Sequence, residues 1–485
     1  MQLSAADPDS PATLSARLAY AERVADDSRP SRCRRRLAQA SSQLAAVRAS
    51  PATALLFPHG WARALDTEYR IDRLSAACAP DAQTRVRELR AAAAAARRAV
   101  ELYRDALDDY SMATMQFNVA VVEDELGEHR LALAALESAI AMDREFGFRE
   151  DAQENYGHLL RFDHEPSGAA HIAARMKDFP ERSVTLRFAW SASTARVTIR
   201  SDRARLVDGA ILTSEAHSEL QRTVREGGGH WIVSYRRISA SDDAGVWPLA
   251  PSVHGLEDSV FTPVLTQLPD IEVSAAGDLE RVDDVDAFAS RIAEEAEAQI
   301  RAHAPHGAHS SGLLARGLAE VPRILAPQII EAETRQSYSL ETAMWIGATL
   351  KQGVWYDSDA TLMLPGIRTV VLAYRLQFAY TRPVPCPGTS GARTCAELVI
   401  HAVPDADALA EYLGSVVQHF GQPLDYASAT DLRLVIDPST LELYVEEVRR
   451  YWYAATGARP GATGKARRHE GLIEAQHRIW SASYP

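Results

Sequence analysis

The sequence contains no run of about 18 apolar residues, the length that a helix needs to cross a bilayer. It also shows no secretory signal sequence, because its first residues are polar and include Pro8 and Pro11. We expect residues 1–12 to form a flexible leader, the alternative being the start of a processed mature chain. The sequence therefore predicts no transmembrane segment.

Basic residues are outnumbered, since 65 acidic side chains face 52 basic ones and the net charge is −13. This balance argues against a protein that follows a nucleic-acid phosphate backbone. The 485 residues, 46% of them hydrophobic, are enough for two or three packed domains. We therefore expect a globular protein without a nucleic-acid partner.

The common catalytic motifs are missing. No Gly-x-Ser-x-Gly elbow, phosphate-cradling loop with its Lys, or Cys-x-x-Cys pair occurs. The pair His469-Glu470 is followed by Ile473, where a helical zinc protease has its second histidine. No catalytic residue follows from such spacings.

The densest histidine cluster consists of His303, His306 and His309. Imidazoles at this spacing could converge on a transition metal if the intervening Pro-Gly segment turns. No nearby carboxylate or thiolate completes the set, so a polar loop is the preferred interpretation. The sequence predicts no cofactor.

The four cysteines form two local pairs. Cys386 and Cys395 bracket a turn-rich linker between two strand-like runs, where a disulfide would join the ends of a hairpin loop. Cys33 and Cys78 lie in two helical stretches that an antiparallel pairing could bring together. Two disulfides would indicate a periplasmic or secreted protein, whereas four free thiols would indicate a cytoplasmic one.

The most informative pattern is a near-repeat within residues 96–160. Small and aromatic residues recur after 33 positions, and amide residues recur after 37. The first set pairs Ala99, Tyr103 and Ala106 with Ala132, Leu136 and Ala139, and the second pairs Gln116 and Asn118 with Gln153 and Asn155. Gly127 provides a helix-ending turn between them.

These positions resemble those of tetratricopeptide repeats, although Gln116 and Glu123 stand where large aromatic residues are usual. The resemblance implies an array of helical hairpins over residues 13–178 that binds a polypeptide in a concave groove. The candidates for contacting this partner are Gln116, Asn118, Gln153 and Asn155. The alternatives are a plain helical bundle and amides that only satisfy local helix contacts.

At Arg182 the hydrophobic period changes from that of helices to that of strands. Strand blocks over about 182–285 and 336–485 are joined by a helical segment at 286–330, and Gly227 to Gly229 predict a turn between two strands. The sequence therefore predicts an α+β protein. Its N-terminal helical repeat array is followed by a large antiparallel β-rich domain, residues 182–485, with packed helices.

Aromatic residues gather in the second strand block, where they could line a ligand cavity or, as we expect, fill a core. They are Trp345, Trp355, Tyr356, Phe378, Tyr380, Tyr451, Trp452 and Tyr453. A curved sheet around helices resembles the bacterial envelope carriers of lipids and lipoproteins.

The leading hypothesis is a noncatalytic protein-interaction scaffold or binding protein of the bacterial cell envelope, whose helical repeats bind a polypeptide. One alternative is a carrier of an apolar small molecule in the β-rich domain. The other is a hydrolase or metal-dependent enzyme that uses the repeats as a docking module.

Overall fold

The computed structural model describes residues 11–26, 33–50, 53, 60–105, 108–162, 169–207, 210–243, 268–302, 318, 321–322, 325–364, 370–388, 393–420, 424–456 and 472–484. The chain divides into two compact units. The helical unit comprises residues up to Arg182 together with Gly209–Ile211 and Lys351–Val354. The β-rich unit comprises the remainder.

The helical unit contains eight helices in its described part: α1 Pro11–Asp26, α2 Cys33–Ala49, α3 Gly60–Ala77, α4 Ala82–Asp105, α5 Asp109–Glu125, α6 His129–Phe146, α7 Arg149–Phe162 and α8 Ala169–Arg175. Each helix packs against the next one in the sequence. Alanines dominate the buried face of α4, which allows close approach of its neighbours. Of the predicted leader, residues 1–10 lie outside the described residues, and α1 begins at Pro11, a residue favoured in a first helical turn.

The β-rich unit contains the strands β1 Ser183–Thr185, β2 Ser193–Val207, β3 Ala210–Gly227, β4 His230–Asp243, β5 Ile271–Ser274, β6 Leu279–Val282, β7 Thr349–Lys351, β8 Trp355–Met363, β9 Val371–Pro385, β10 Thr394–Pro404, β11 Leu424–Ile436, β12 Leu443–Thr456 and β13 Leu472–Ser483. Its helices are α9 Val285–Ala302, α10 Pro327–Glu341 and α11 Ala406–Phe420, with a short 3-10 helix at Ala343–Trp345. The α+β class, with helices first and a large antiparallel sheet after them, is confirmed.

Eleven strands form one sheet in the order β6-β5-β4-β3-β2-β13-β12-β11-β10-β9-β8, while β1 pairs with β7 in a second, two-stranded sheet. The predicted turn is confirmed: β3 and β4 form a hairpin in which Gly227 pairs with His230. Gly228 and Gly229 both have positive φ angles, 66° and 88°, as a two-residue hairpin turn requires. Strand β13 lies between β2 and β12 and so joins the two strand blocks.

The large sheet curves around α10. This helix contacts both β6 and β8, the two edge strands of the sheet. Eleven strands laid flat would separate the edges by about 48 Å, at roughly 4.8 Å per strand pair. A helix of 15 residues is only about 22 Å long. The sheet must therefore wrap around the helix, which gives it an inner face toward α10 and an outer face.

The expected core role of the aromatic residues agrees with the described part of the second block. Trp345 is fully buried, and its ring meets that of Phe378 edge to face at 5.0 Å. Tyr356 stacks on Phe378 with ring centroids 5.5 Å apart. The side chains of Tyr451, Trp452 and Tyr453 lie outside the described residues.

The predicted disulfide between Cys386 and Cys395 is confirmed. It joins the end of β9 to the start of β10, with Cα atoms 5.0 Å apart. Cys78 is also disulfide-bonded, while the side chain of Cys33 lies outside the described residues. None of the described helices is both long enough and apolar enough to cross a membrane.

Candidate functional site

The two sequence echoes relate alternate helices of the helical unit. Ala99 and Tyr103 on α4 correspond to Ala132 and Leu136 on α6, and all four are buried. The amide pairs correspond in the same way, because Gln116 and Asn118 lie on α5 whereas Gln153 and Asn155 lie on α7. The echoes therefore fall on alternate helices, α4 with α6 and α5 with α7.

The four amides occupy different environments. Gln116 is partly buried, and its Nε2 donates to the Ala135 carbonyl oxygen on α6 at 3.5 Å. Asn118 is partly buried as well, with Nδ2 3.5 Å from the Met115 sulfur. Gln153 is exposed. The structure thus leaves Gln153 as the amide most available to a partner.

Asn155 has an internal hydrogen bond. It is 5% exposed, and its Nδ2 donates to the Asp143 Oδ2 on α6 at 2.7 Å. Burial raises the pKa of Asp143 to about 7, although the Asn155 amide acts to lower it. The Asn155 amide therefore compensates a buried carboxyl group at the junction of α6 and α7.

Replacing Asn155 by alanine is expected to destabilise the helical unit at pH 8 by about 1–3 kcal/mol, because the Asp143 carboxylate loses its donor in a buried setting. The exposed Gln153 provides a matched control on the same helix, and Gln153→Ala should change stability by less than about 0.5 kcal/mol. Hydrogen exchange of the α6 and α7 amides measures both effects. Equal protection in the two variants would contradict the buried pairing.

The same carboxyl predicts a pH dependence. The folded pKa of Asp143 lies above its ordinary 3.8, so the folded state holds the proton more tightly. The contribution of the protonated Asp143 to the free energy of unfolding is complete below about pH 4 and is lost as the pH rises to about 7. In Asp143→Asn this fall in stability should disappear, as measured by urea unfolding at several pH values.

A second concentration of polar groups lies inside the β-rich unit, where α10 crosses the inner face of the large sheet. On α10, Glu333, Ser337 and Glu341 follow at spacings of four and share one side of the helix. Glu333 and Ser337 are exposed and Glu341 is partly exposed, yet surrounding protein raises the pKa of both glutamates. This combination indicates that they border a recess open to solvent.

The sheet supplies charged groups to the same place. Arg478 on β13 donates through Nη2 to both carboxylate oxygens of Glu446 on β12, each at 2.9 Å, and Glu446 is buried. The positive charge of Arg478 acts on both Glu333 and Glu341. We call this group the charged recess; it comprises Glu333, Ser337, Glu341, Glu446 and Arg478, together with Arg222 on β3.

Glu341 has a strongly shifted pKa. Burial and the neighbouring Glu446 carboxylate raise the pKa of Glu341 to about 8, against the opposing effect of Arg478 and Arg222. Its carboxyl group is therefore mostly protonated at neutral pH. Such perturbed carboxyl groups concentrate at functional sites.

Arg222 lies at the end of the charged recess toward β4. It is 6% exposed, its guanidinium lies over the Trp190 ring at 5.3 Å, and its Nη1 donates to the Tyr484 hydroxyl oxygen at 3.3 Å. It also hydrogen-bonds to the Tyr235 hydroxyl. Within the described residues, no carboxylate lies within ion-pair distance of Arg222.

No protein-family model matches the chain, and no curated protein matches it in sequence.

The predicted histidine cluster at His303, His306 and His309 lies outside the described residues. Within the parts of the chain that are described, no three histidine, cysteine or carboxylate side chains are grouped to hold a metal ion.

Sequence reasoning missed the charged recess altogether. One signal was present: on β3, Arg222 occupies the same alternating phase as Leu220 and Val224, both buried. A charged residue in an apolar phase indicates an inward-pointing ion. Its neighbours on α10 and β13 come from distant parts of the chain, so their meeting depends on the register of the whole sheet.

Proposed function

We propose that this protein is a noncatalytic binding protein of the bacterial cell envelope, whose helical unit docks a polypeptide partner. The observation that carries the proposal is the packing of the helices in sequence order, with repeat echoes between alternate helices. Arrays built in this way present continuous surfaces, which suit extended peptides or single helices.

Side chains suited to such contacts remain exposed on the helical unit. Leu131 on α6 is 50% exposed, Tyr110 on α5 is 40% exposed, and Gln153 is exposed on α7. Asn155 and Gln116 contribute to packing between α6 and its neighbours, which positions these helices. The partner contacts are therefore assigned to the exposed side chains, with Gln153 kept from the sequence-based set.

The proposed envelope location is supported by the disulfide chemistry. Cys386, Cys395 and Cys78 are all disulfide-bonded, and disulfides persist mainly in oxidising compartments. Peptide mapping under non-reducing conditions, on protein from the native cell, should recover Cys386 and Cys395 in one linked fragment. Recovery of both as free thiols would contradict export.

Site-specific photo-crosslinking in the native cell tests the docking proposal. A photoreactive phenylalanine replaces Leu131 or Gln153, and the control is the same residue at Ile238 on β4, which is equally exposed in the β-rich unit. The proposal predicts one and the same polypeptide adduct from both helical positions and none of it from Ile238. Adducts that are absent, or equal at all three positions, would contradict it.

If the β-rich unit carries a ligand, that ligand differs from the apolar small molecule expected from the sequence. The inner face of the sheet presents the ion pair of Arg478 with Glu446, as well as the buried Arg222. A wholly apolar molecule would leave the buried charge of Arg222 without compensation. A ligand at this place must therefore carry a polar or charged group.

A further inference from the structure

Arg222 is a buried positive charge whose only described partners are neutral. A guanidinium stays protonated under all ordinary conditions. Removing such an ion from water is costly unless another charge compensates it. The hydroxyl groups of Tyr484 and Tyr235 and the face of Trp190 provide partial compensation. The remaining positive charge has no adjacent anion in the described part of the protein.

The nearest carboxylates act on Arg222 only from a distance. Glu442 and Glu341 influence it electrostatically, but neither forms an ion pair with it. Glu341 is mostly uncharged near neutral pH, since its pKa is raised to about 8. Glu442 instead accepts a hydrogen bond from the Ser193 hydroxyl at 3.4 Å. Carboxylates therefore act on Arg222 electrostatically, but none in the described residues forms an ion pair with it.

Aromatic side chains enclose Arg222. Trp190 is 8% exposed, and its indole Nε1 has no hydrogen-bond acceptor among the described residues. The Tyr338 ring of α10 packs edge to face against Trp190 at 6.4 Å, which fixes one wall. Tyr235, Tyr484 and Glu341, which surround Arg222, retain accessible surface.

We infer that Arg222 is the anchor of a binding site for a monocarboxylate. The planar guanidinium matches the two oxygens of a carboxylate and binds them through parallel hydrogen bonds. Glu442, which acts electrostatically on Arg222, repels additional negative charge, so a singly charged group is favoured over a phosphate dianion.

The carboxylate could belong to a small solute or to a fatty acid, and calorimetric titration of the purified full-length protein distinguishes them. The probes are benzoate, dodecanoate and inorganic phosphate. Saturable binding of benzoate alone assigns a small solute, whereas binding of dodecanoate with the higher affinity assigns a lipid. Phosphate is expected to bind at least 10-fold more weakly than the preferred carboxylate, which corresponds to about 1.4 kcal/mol. Failure of both carboxylates to bind, or stronger binding of phosphate, would overturn the inference.

Variants of β3 connect the binding to Arg222. Arg222→Gln should weaken binding of the preferred carboxylate at least 10-fold, and Arg222→Lys, which keeps the charge but loses the planar fork, should weaken it severalfold. Arg225 is exposed three residues along the same strand, so Arg225→Gln is the matched control and should bind as the wild type does. If Arg222→Gln does not fold, Arg222→Lys decides the question. Unchanged affinity in the folded Arg222 variants would overturn the inference.

Discussion

Replacing Gly353 by alanine is expected to destabilise the helical unit severely. Gly353 has φ +70°, and a Cβ atom there would lie 1.9 Å from the Gly147 carbonyl oxygen at the end of α6. The obstacle is backbone, which cannot move aside as a flexible side chain would. The left-handed conformation costs about 1–2 kcal/mol and the overpacking about 1–3 kcal/mol, so the total loss should be about 2–5 kcal/mol. Urea unfolding combined with hydrogen exchange of α6 and α7 measures it.

The control for this prediction is Gly127→Ala. Gly127 has φ +77°, but no atom lies within 4 Å of the position that its Cβ would take. Gly127→Ala should therefore lower the free energy of unfolding only by the cost of a left-handed conformation, about 1–2 kcal/mol. A difference between the two variants isolates the close approach of Gly353 to Gly147, which also brings the Gln352 Nε2 within 2.7 Å of the Phe146 carbonyl oxygen. Equal losses would show that residues 351–354 do not pack against the end of α6.

Removing the Glu397 carboxylate should have the next largest effect. Glu397 on β10 is 6% exposed and accepts hydrogen bonds from Arg433 Nε at 2.6 Å and from Arg382 Nε at 2.9 Å. The Thr381 hydroxyl also donates to it, at 2.9 Å. Breaking a buried ion pair leaves the partner charges uncompensated, and both arginines here are partly exposed, so Glu397→Ala should lose about 2–4 kcal/mol.

The matched control is Glu297→Ala on α9, which breaks a surface pair with Arg301 at 2.8 Å. An exposed pair one helical turn apart contributes no more than about 0.5 kcal/mol. Thermal unfolding of both variants provides the comparison. Equal midpoints would show that Glu397 is not held in a buried network.

Acid should reduce the difference in the free energy of unfolding between Glu397→Ala and the wild type. Burial acts to raise the pKa of Glu397, but Arg433 and Arg382 outweigh it and hold the pKa below its ordinary 4.5. The stabilisation is therefore present above about pH 4.5 and is lost as the pH falls through the lower folded value. If the difference in the free energy of unfolding stays constant until Glu397 is fully protonated, this pH dependence is contradicted.

Local patterns were sufficient to predict much of the fold. The alternation after Arg182 indicated strands because successive side chains of a strand point to opposite faces. Gly228 and Gly229 indicated the β3–β4 hairpin, since few other residues adopt two successive positive φ angles. The Cys386–Cys395 disulfide could also be predicted, because it joins the ends of two strands that are neighbours in the sequence. All of these features depend on residues close in the sequence.

Features that depend on distant segments could not be predicted in this way. Only the fold shows that β13, the last strand of the chain, lies between β2 and β12. Arg478 meets Glu446 through the register of β12 with β13, and Glu341 reaches them because the sheet wraps around α10. Asn155 combines both cases. Its place in the 37-residue echo was visible in the sequence, whereas its hydrogen bond to Asp143 depends on the packing of α6 on α7.

The most direct test of a ligand-binding role is a crystal structure of the full-length protein grown with a bromine-labelled benzoate and, in a separate crystal, with a bromine-labelled dodecanoate. Bromine can be located by its anomalous scattering, and the carboxylate by its density. We expect one of these ligands to lie in the charged recess, with its carboxylate oxygens within hydrogen-bond distance of the Arg222 guanidinium. Bromine bound only elsewhere, or a charged recess in which Arg222 holds no carboxylate in either crystal, would contradict it.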